Sequence, residues 1–189
     1  MDKGGGRPRV TQVLLSIFAT IAISLLSGCS MGAEGKGGKW ELDYEPHVIS
    51  VEDARSQARG VSSRIFDMMG VDAKATQPGP GISTCSADPN KERMYVVRHP
   101  WAIYGVSNSV LKEAMDNLRN SLPGDGWTIV KDGREESKDR QPVIHAENDE
   151  LQYTLIASWA QGREKPQISV TLTSACIKTP EGENPRGEY

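Results

Sequence analysis

The chain has 189 residues, enough for one domain with its own core. Its 22 Lys and Arg against 25 Asp and Glu give a net charge of −3, so no basic excess points to nucleic acid and no polybasic segment to anionic lipid head groups. With 37% hydrophobic residues and only two phenylalanines, a core of this size leaves no apolar surplus for an acyl-chain cavity.

The first dozen residues carry Lys3, Arg7 and Arg9 against the single acid Asp2, the positive start of an export signal. Val13 to Leu26 is apolar but diluted by Ser16, Thr20 and Ser24, and it falls short of the roughly 20 residues a membrane-spanning helix needs. It closes on Leu26-Ser27-Gly28-Cys29. That tetrapeptide resembles the lipobox of bacterial lipoproteins at every position. The resemblance implies that residues 1–28 are removed and that the Cys29 thiol carries a diacylglyceryl group, holding the protein to the extracytoplasmic face of the cell membrane. Two or more acyl chains hold stably where one does not. Residues 30–49 begin glycine-rich and read as a flexible tether, with Trp40, Leu42 and Tyr44 alternating with polar neighbours.

The domain is expected over residues 50–179. Ser50 opens a helix as N-cap with Asp53 answering it, and Val51, Ala54, Ala58, Val61, Ile65 and Met68 recur at helical spacing until Gly70 stops it. Gln77 to Gly81 forces a break. Ile82–Cys85 is then a short strand, Ser86–Asn90 a turn and Glu92–His99 a longer strand, with Pro100 expected to mark an edge or an end and Trp101–Tyr104 resuming it. Ser107 or Ser109 caps a second helix lined by Leu111, Ala114, Met115, Leu118 and Leu122 and stopped by Pro123-Gly124. Trp127–Val130 is a strand and Lys131–Gln141 a polar loop. Strands follow at Val143–Glu147, Leu151–Trp159 and Gln167–Ile177, their alternation arguing an antiparallel sheet with one face on a core. Residues 180–189 form a polar tail. The fold class expected is α+β, an antiparallel sheet with two amphipathic helices packed on one face.

Beyond Cys29 only Cys85 and Cys176 remain. An even pair in an exported chain most often forms a disulfide, and alternation along the last strand points Cys176 inward. A metal or redox pair is the alternative, but no Cys-x-x-Cys spacing or histidine cluster supports it. The four tryptophans are most simply core anchors.

The Gly81-Ile82-Ser83-Thr84-Cys85 strand, the helix ending in Gly126-Trp127 and the terminal Thr173-Ser174-Ala175-Cys176 are similar to features of small exported lipoproteins of actinobacteria. The shared features are structural, so the resemblance implies an address and a fold, and brings no reaction and no substrate.

No catalytic, metal or cofactor set is expected. His47, His99 and His145 are scattered, without a His-Glu-x-x-His pattern, and no Gly-x-Ser-x-Gly elbow occurs. The acids at Glu147 to Glu150 fit a hairpin turn rather than a calcium loop. His99 beside Trp101 is the candidate ligand-pocket lining, weighed against a packed strand histidine. Two functions follow: a non-enzymatic surface module for an envelope protein or small ligand, or a cell-envelope hydrolase or accessory enzyme using His99 or His145 with a nearby acid.

Overall fold

The computed structural model describes residues 42–76, 78–88, 90 and 92–185. Cys29, the leader and most of the tether lie outside these residues, as does Trp40. Among the described residues the chain forms two α-helices, one short 3-10 turn and an eight-stranded antiparallel sheet, the expected α+β class.

Helix α1 spans Val51–Met69. The Ser50 hydroxyl accepts the Asp53 N–H at 3.1 Å and donates to the Asp53 carboxylate at 2.7 Å, so cap and third residue satisfy each other. Val51, Ala54, Ala58, Val61, Ser62, Ile65 and Met69 are buried along one face. Met69 rather than Met68 completes that stripe, and Met68 packs at its margin. The helix ends at Gly70, whose φ of +61° is left-handed. A Cβ there would also lie 3.3 Å from Asn117 Nδ2, the group that caps α1 by donating to the Met69 carbonyl.

Helix α2, Asn108–Ser121, starts at the Ser107 cap and buries Leu111, Ala114, Met115 and Leu118. The 3-10 turn Leu122–Asp125 then closes on Gly126 at φ +81°. Arg119 ties this helix to the sheet, bonding Asp116 at 2.7 Å on its own helix and Asp132 on a strand.

The strands are β1 (Lys74–Ala75), β2 (Gly81–Thr84), β3 (Met94–Tyr104), β4 (Thr128–Arg134), β5 (Pro142–Asn148), β6 (Tyr153–Trp159), β7 (Gln167–Ser174) and β8 (Ile177–Lys178). Their order is β1-β3-β7-β6-β5-β4, with β2 and β8 also paired to β3. Strands β1 and β2 therefore form one interrupted edge row, and β7 and β8 flank β3 on its other side. Helix α1 packs over β3 and β7, and α2 lies against α1. Tyr95, Val97, Trp101, Ile103, Leu155, Ile168 and Leu172 line the covered face.

Four expectations are corrected. Strand β3 runs unbroken through Pro100 and is an interior strand. Ala102 gives both its N–H and its C=O to Thr76, and Met94 gives its C=O to Cys85, so even-numbered residues of β3 aim their peptide groups at the edge row. Pro100, which has no N–H to give, falls opposite the gap between β1 and β2. Second, Lys131–Arg134 belongs to β4, whose register shifts between Ile129 and Lys131. As an edge strand with mostly exposed residues, it carries no apolar alternation to reveal it.

Third, Gln167–Ile177 is not one strand. Thr173 opposes Arg98, but Ile177 opposes Tyr95, so one extra residue has entered and the side-chain parity flips. Ile177 turns inward and is buried, while Cys176 is half-buried. Fourth, β6 starts at Tyr153 rather than Leu151, because Gln152 takes a left-handed turn conformation at φ +56°.

The Cys85–Cys176 disulfide forms, its Cα atoms 5.7 Å apart, joining the two rows that flank β3 where that strand begins. The last part of the tether lies along the domain. Tyr44 accepts the Cys176 N–H on its hydroxyl at 2.8 Å, and His47 and Ile49 exchange backbone bonds with Lys178.

Candidate functional site

A cleft of about 590 Å3 opens between α1 and the interrupted edge row. Residues Arg59, Ser62, Ser63, Phe66 and Asp67, at helical spacing along α1, form one wall. Ala73, Ala75 and Thr76 with Pro78 and Gly79 form the other, and His99 and Trp101 of β3 the floor. His99 and Trp101, singled out by the sequence, share this cleft because residues two apart on a strand point to the same face.

His99 is 8% exposed and both ring nitrogens are engaged. Nε2 lies 2.8 Å from the Pro78 carbonyl and Nδ1 lies 2.8 Å from the Ser62 hydroxyl. A carbonyl only accepts, so Nε2 carries a hydrogen, and in the neutral ring Ser62 donates to Nδ1. The ring thereby pins the loop after β1 to helix α1 and sets the width of the cleft. Trp101 is 7% exposed, meets Phe66 edge-on with ring centroids 6.1 Å apart, and has a buried indole N–H without a partner.

The charged groups of the cleft lie on α1. The Arg59 guanidinium bonds Glu52 at 3.0 Å in a solvent-exposed pair, an interaction of little strength. The Asp67 carboxylate forms no ion pair among the described residues. Eight residues of helix separate the two groups by roughly 12 Å of rise. The Ser63 hydroxyl donates to the Arg59 carbonyl at 3.0 Å and keeps its lone pairs for a visitor. Aromatic floor, hydroxyl rim and opposite charges at the two ends suit a small polar ligand with an apolar part.

The histidine–acid arrangement expected of a hydrolase is not assembled. No carboxylate bonds His99. His145 is on the sheet's other face, paired across to Ile156 and Lys131. His47 is exposed on the docked end of the tether. A serine does reach His99, but the backbone amides around Ser62 are spent in the helix ladder, leaving none there to stabilise an oxyanion. Among the described residues no group of three His, Cys, Asp or Glu is placed to hold a metal ion.

Ser62, Phe66, Asp67 and Pro78 were not singled out from the sequence. One signal was available: Ser62 falls between Val61 and Ile65 on the apolar stripe, and a hydroxyl there has to find a buried partner. No family model matches the chain, and no curated protein or solved structure shows significant similarity to it.

Proposed function

We propose that the chain is a lipid-anchored, extracytoplasmic binding module whose α1–β3 cleft takes a small polar ligand, without catalysing a reaction. The observation that carries the binding role is the cleft itself. Its volume lies within the roughly 300–1,000 Å3 of small-molecule sites, and its lining joins the rings of Phe66 and Trp101 to polar groups of α1, β3 and the loop after β1. The address rests on Leu26-Ser27-Gly28-Cys29 behind a basic leader. The Cys85–Cys176 bond suits an oxidising compartment outside the cytosol.

Intact mass of the protein from the membrane fraction tests the address: residues 1–28 should be gone and Cys29 diacylglyceryl-modified, and Cys29→Ala should remain unprocessed. Thermal-shift screening of the membrane-extracted protein against polar metabolites and cell-wall fragments tests the cleft. A genuine ligand raises the midpoint of the native chain and loses that effect in Asp67→Ala and Phe66→Ala. A screen without a shift, together with empty crosslinking in cells, would remove the basis for the binding role.

A further inference from the structure

The α1–β3 cleft has a direction. Helix α1 ends at Met69, and a short connection through Gly70 returns the chain to β1 at Lys74, so the Asp67 end of the helical wall lies beside the start of β1. Further along, His99 joins Ser62 to the Pro78 carbonyl, which places the Arg59 end past the far end of that strand. Strand β1 therefore runs from the acidic pole of the cleft toward its basic pole.

Strand β1 lies at the edge of the sheet and pairs with β3 alone. Thr76 gives its N–H to the Ala102 carbonyl at 2.9 Å, and in an antiparallel ladder alternate residues turn their peptide groups to the same side. Lys74 and Thr76 thus face β3, while the N–H and C=O of Ala75 face outward. Among the described residues no further strand takes them up. Ala73 and Ala75 both line the cleft, and their small side chains leave room beside the helix. An exposed sheet edge of this kind accepts an extended peptide as an added strand, whose backbone exchanges hydrogen bonds with the outward peptide groups.

The two poles set the orientation and length of such a peptide. A free ammonium end is attracted to Asp67 and a free carboxylate end to Arg59, whose exposed pair with Glu52 is weak and exchangeable. That polarity corresponds to a peptide lying parallel to β1. The roughly 12 Å of helical rise between the poles matches three or four residues of a parallel strand at about 3.3 Å each. Phe66 and Trp101, between the poles, offer rings to an apolar side chain.

The geometry points to a peptide of three or four residues with free termini as the ligand, added parallel to β1 with its ammonium at Asp67 and its carboxylate at Arg59. This rests on the reading of the cleft as a binding site and names the class of molecule it takes.

Isothermal titration of the full membrane-extracted chain tests it, with the peptide Ala-Phe-Ala-Ala, its N-acetyl and C-amide derivatives, and free phenylalanine as probes. Saturable binding of the free-ended peptide is expected, with each blocked derivative at least about fivefold weaker. Phenylalanine, too short to reach both poles, should be weaker by at least as much. Asp67→Asn should abolish the difference between free and acetylated peptide and keep that between acid and amide, and Arg59→Gln should do the reverse. Both side chains are exposed, so the melting midpoints of the two variants should match the native chain and exclude misfolding as the cause. Absence of saturable peptide binding, blocked derivatives that bind as the free peptide does, or differences that survive both substitutions would each overturn the assignment. A non-peptide metabolite that raises the native midpoint but not that of Asp67→Ala, with the peptide unbound, would keep the cleft as a binding site and overturn the peptide.

Discussion

Removing the Cys85–Cys176 crosslink is expected to cost this domain a large share of its stability. The bridge joins residues 91 apart, and closing a loop of that length restricts the unfolded chain by about 4 to 5 kcal/mol at 25 °C. The double variant Cys85→Ala/Cys176→Ala isolates that contribution. The backbone bonds at both positions, Cys85 N–H to the Met94 carbonyl and Cys176 N–H to the Tyr44 hydroxyl, do not involve the sulfurs. The one local bond lost is Ala87 N–H to the Cys85 sulfur at 3.3 Å. Urea unfolding of the native and variant chains, without reductant, should show the stability falling by about 4 kcal/mol and the thermal midpoint by roughly 10 to 20 °C for a domain of this size. The denaturant slope should rise, because the uncrosslinked unfolded chain exposes more surface. A loss below about 1 kcal/mol with an unchanged slope would refute the reasoning, since the unfolded chain would then not be restrained by the bridge.

The pin between loop and helix should be nearly as sensitive. His99→Leu leaves the Ser62 hydroxyl and the Pro78 carbonyl buried without partners and should cost about 2 to 4 kcal/mol in urea unfolding. The two buried tyrosines should part company: Tyr95 is within 3.0 Å of the carbonyls of Ile49 and Ser50, so Tyr95→Phe costs about 1 kcal/mol or more, while Tyr153→Phe costs close to nothing. Burial raises the pKa of both phenols, that of Tyr153 to about 12 from an ordinary 10.0. Above pH 10 the unfolded chain gives up protons that the folded chain retains, so stability falls by about 1.4 kcal/mol per pH unit for each tyrosine. Urea midpoints taken between pH 10 and 11 should show Tyr153→Phe halving that slope. Asp88 works at the acid end. Partial burial acts to raise its pKa, but four backbone N–H groups, from Asn90, Glu92, Arg93 and Met94, outweigh it and hold the carboxyl below 3.8. Its contribution is present above about pH 4 and lost as pH falls through the lowered value; Asp88→Asn should cost about 1 to 3 kcal/mol at neutral pH and flatten the acid limb of the stability curve.

The parts of the fold legible in the sequence are those in which one face is buried and the other wet. In β6, Tyr153, Leu155 and Ala157 are buried while Thr154 and Ile156 are exposed, and a period of two survives intact. Both helices carry their stripe and cap for the same reason. Lys131–Arg134 was illegible as strand because neither side of that edge is covered, so nothing selects apolar residues at alternate positions. The bulge after Ser174 was illegible for a different reason. A one-residue insertion alters parity without altering composition, and it changed the expected inward Cys176 into a half-buried residue beside a buried Ile177. The disulfide still forms, because it depends on both cysteines flanking the beginning of β3 rather than on a single side-chain direction.

The cleft was only half legible, since His99 and Trp101 are neighbours on one strand whereas their surroundings come from far along the chain. Ser62 is 37 residues from His99 and Pro78 is 21, and no local pattern encodes such a meeting. The structure nevertheless links the pieces through one backbone fact. Pro100 between the two floor residues cannot donate to the edge row, so a continuous edge strand there would have carried an unmatched carbonyl. The row breaks instead, and the freed loop turns its Pro78 carbonyl to His99 rather than to β3. A proline that argued against an interior strand is thus accommodated by the same gap that opens one wall of the cleft. Pro100→Ala would restore an N–H facing that gap without closing it, so the cleft should persist and the domain should change little in stability, whereas loss of His99 should release the loop.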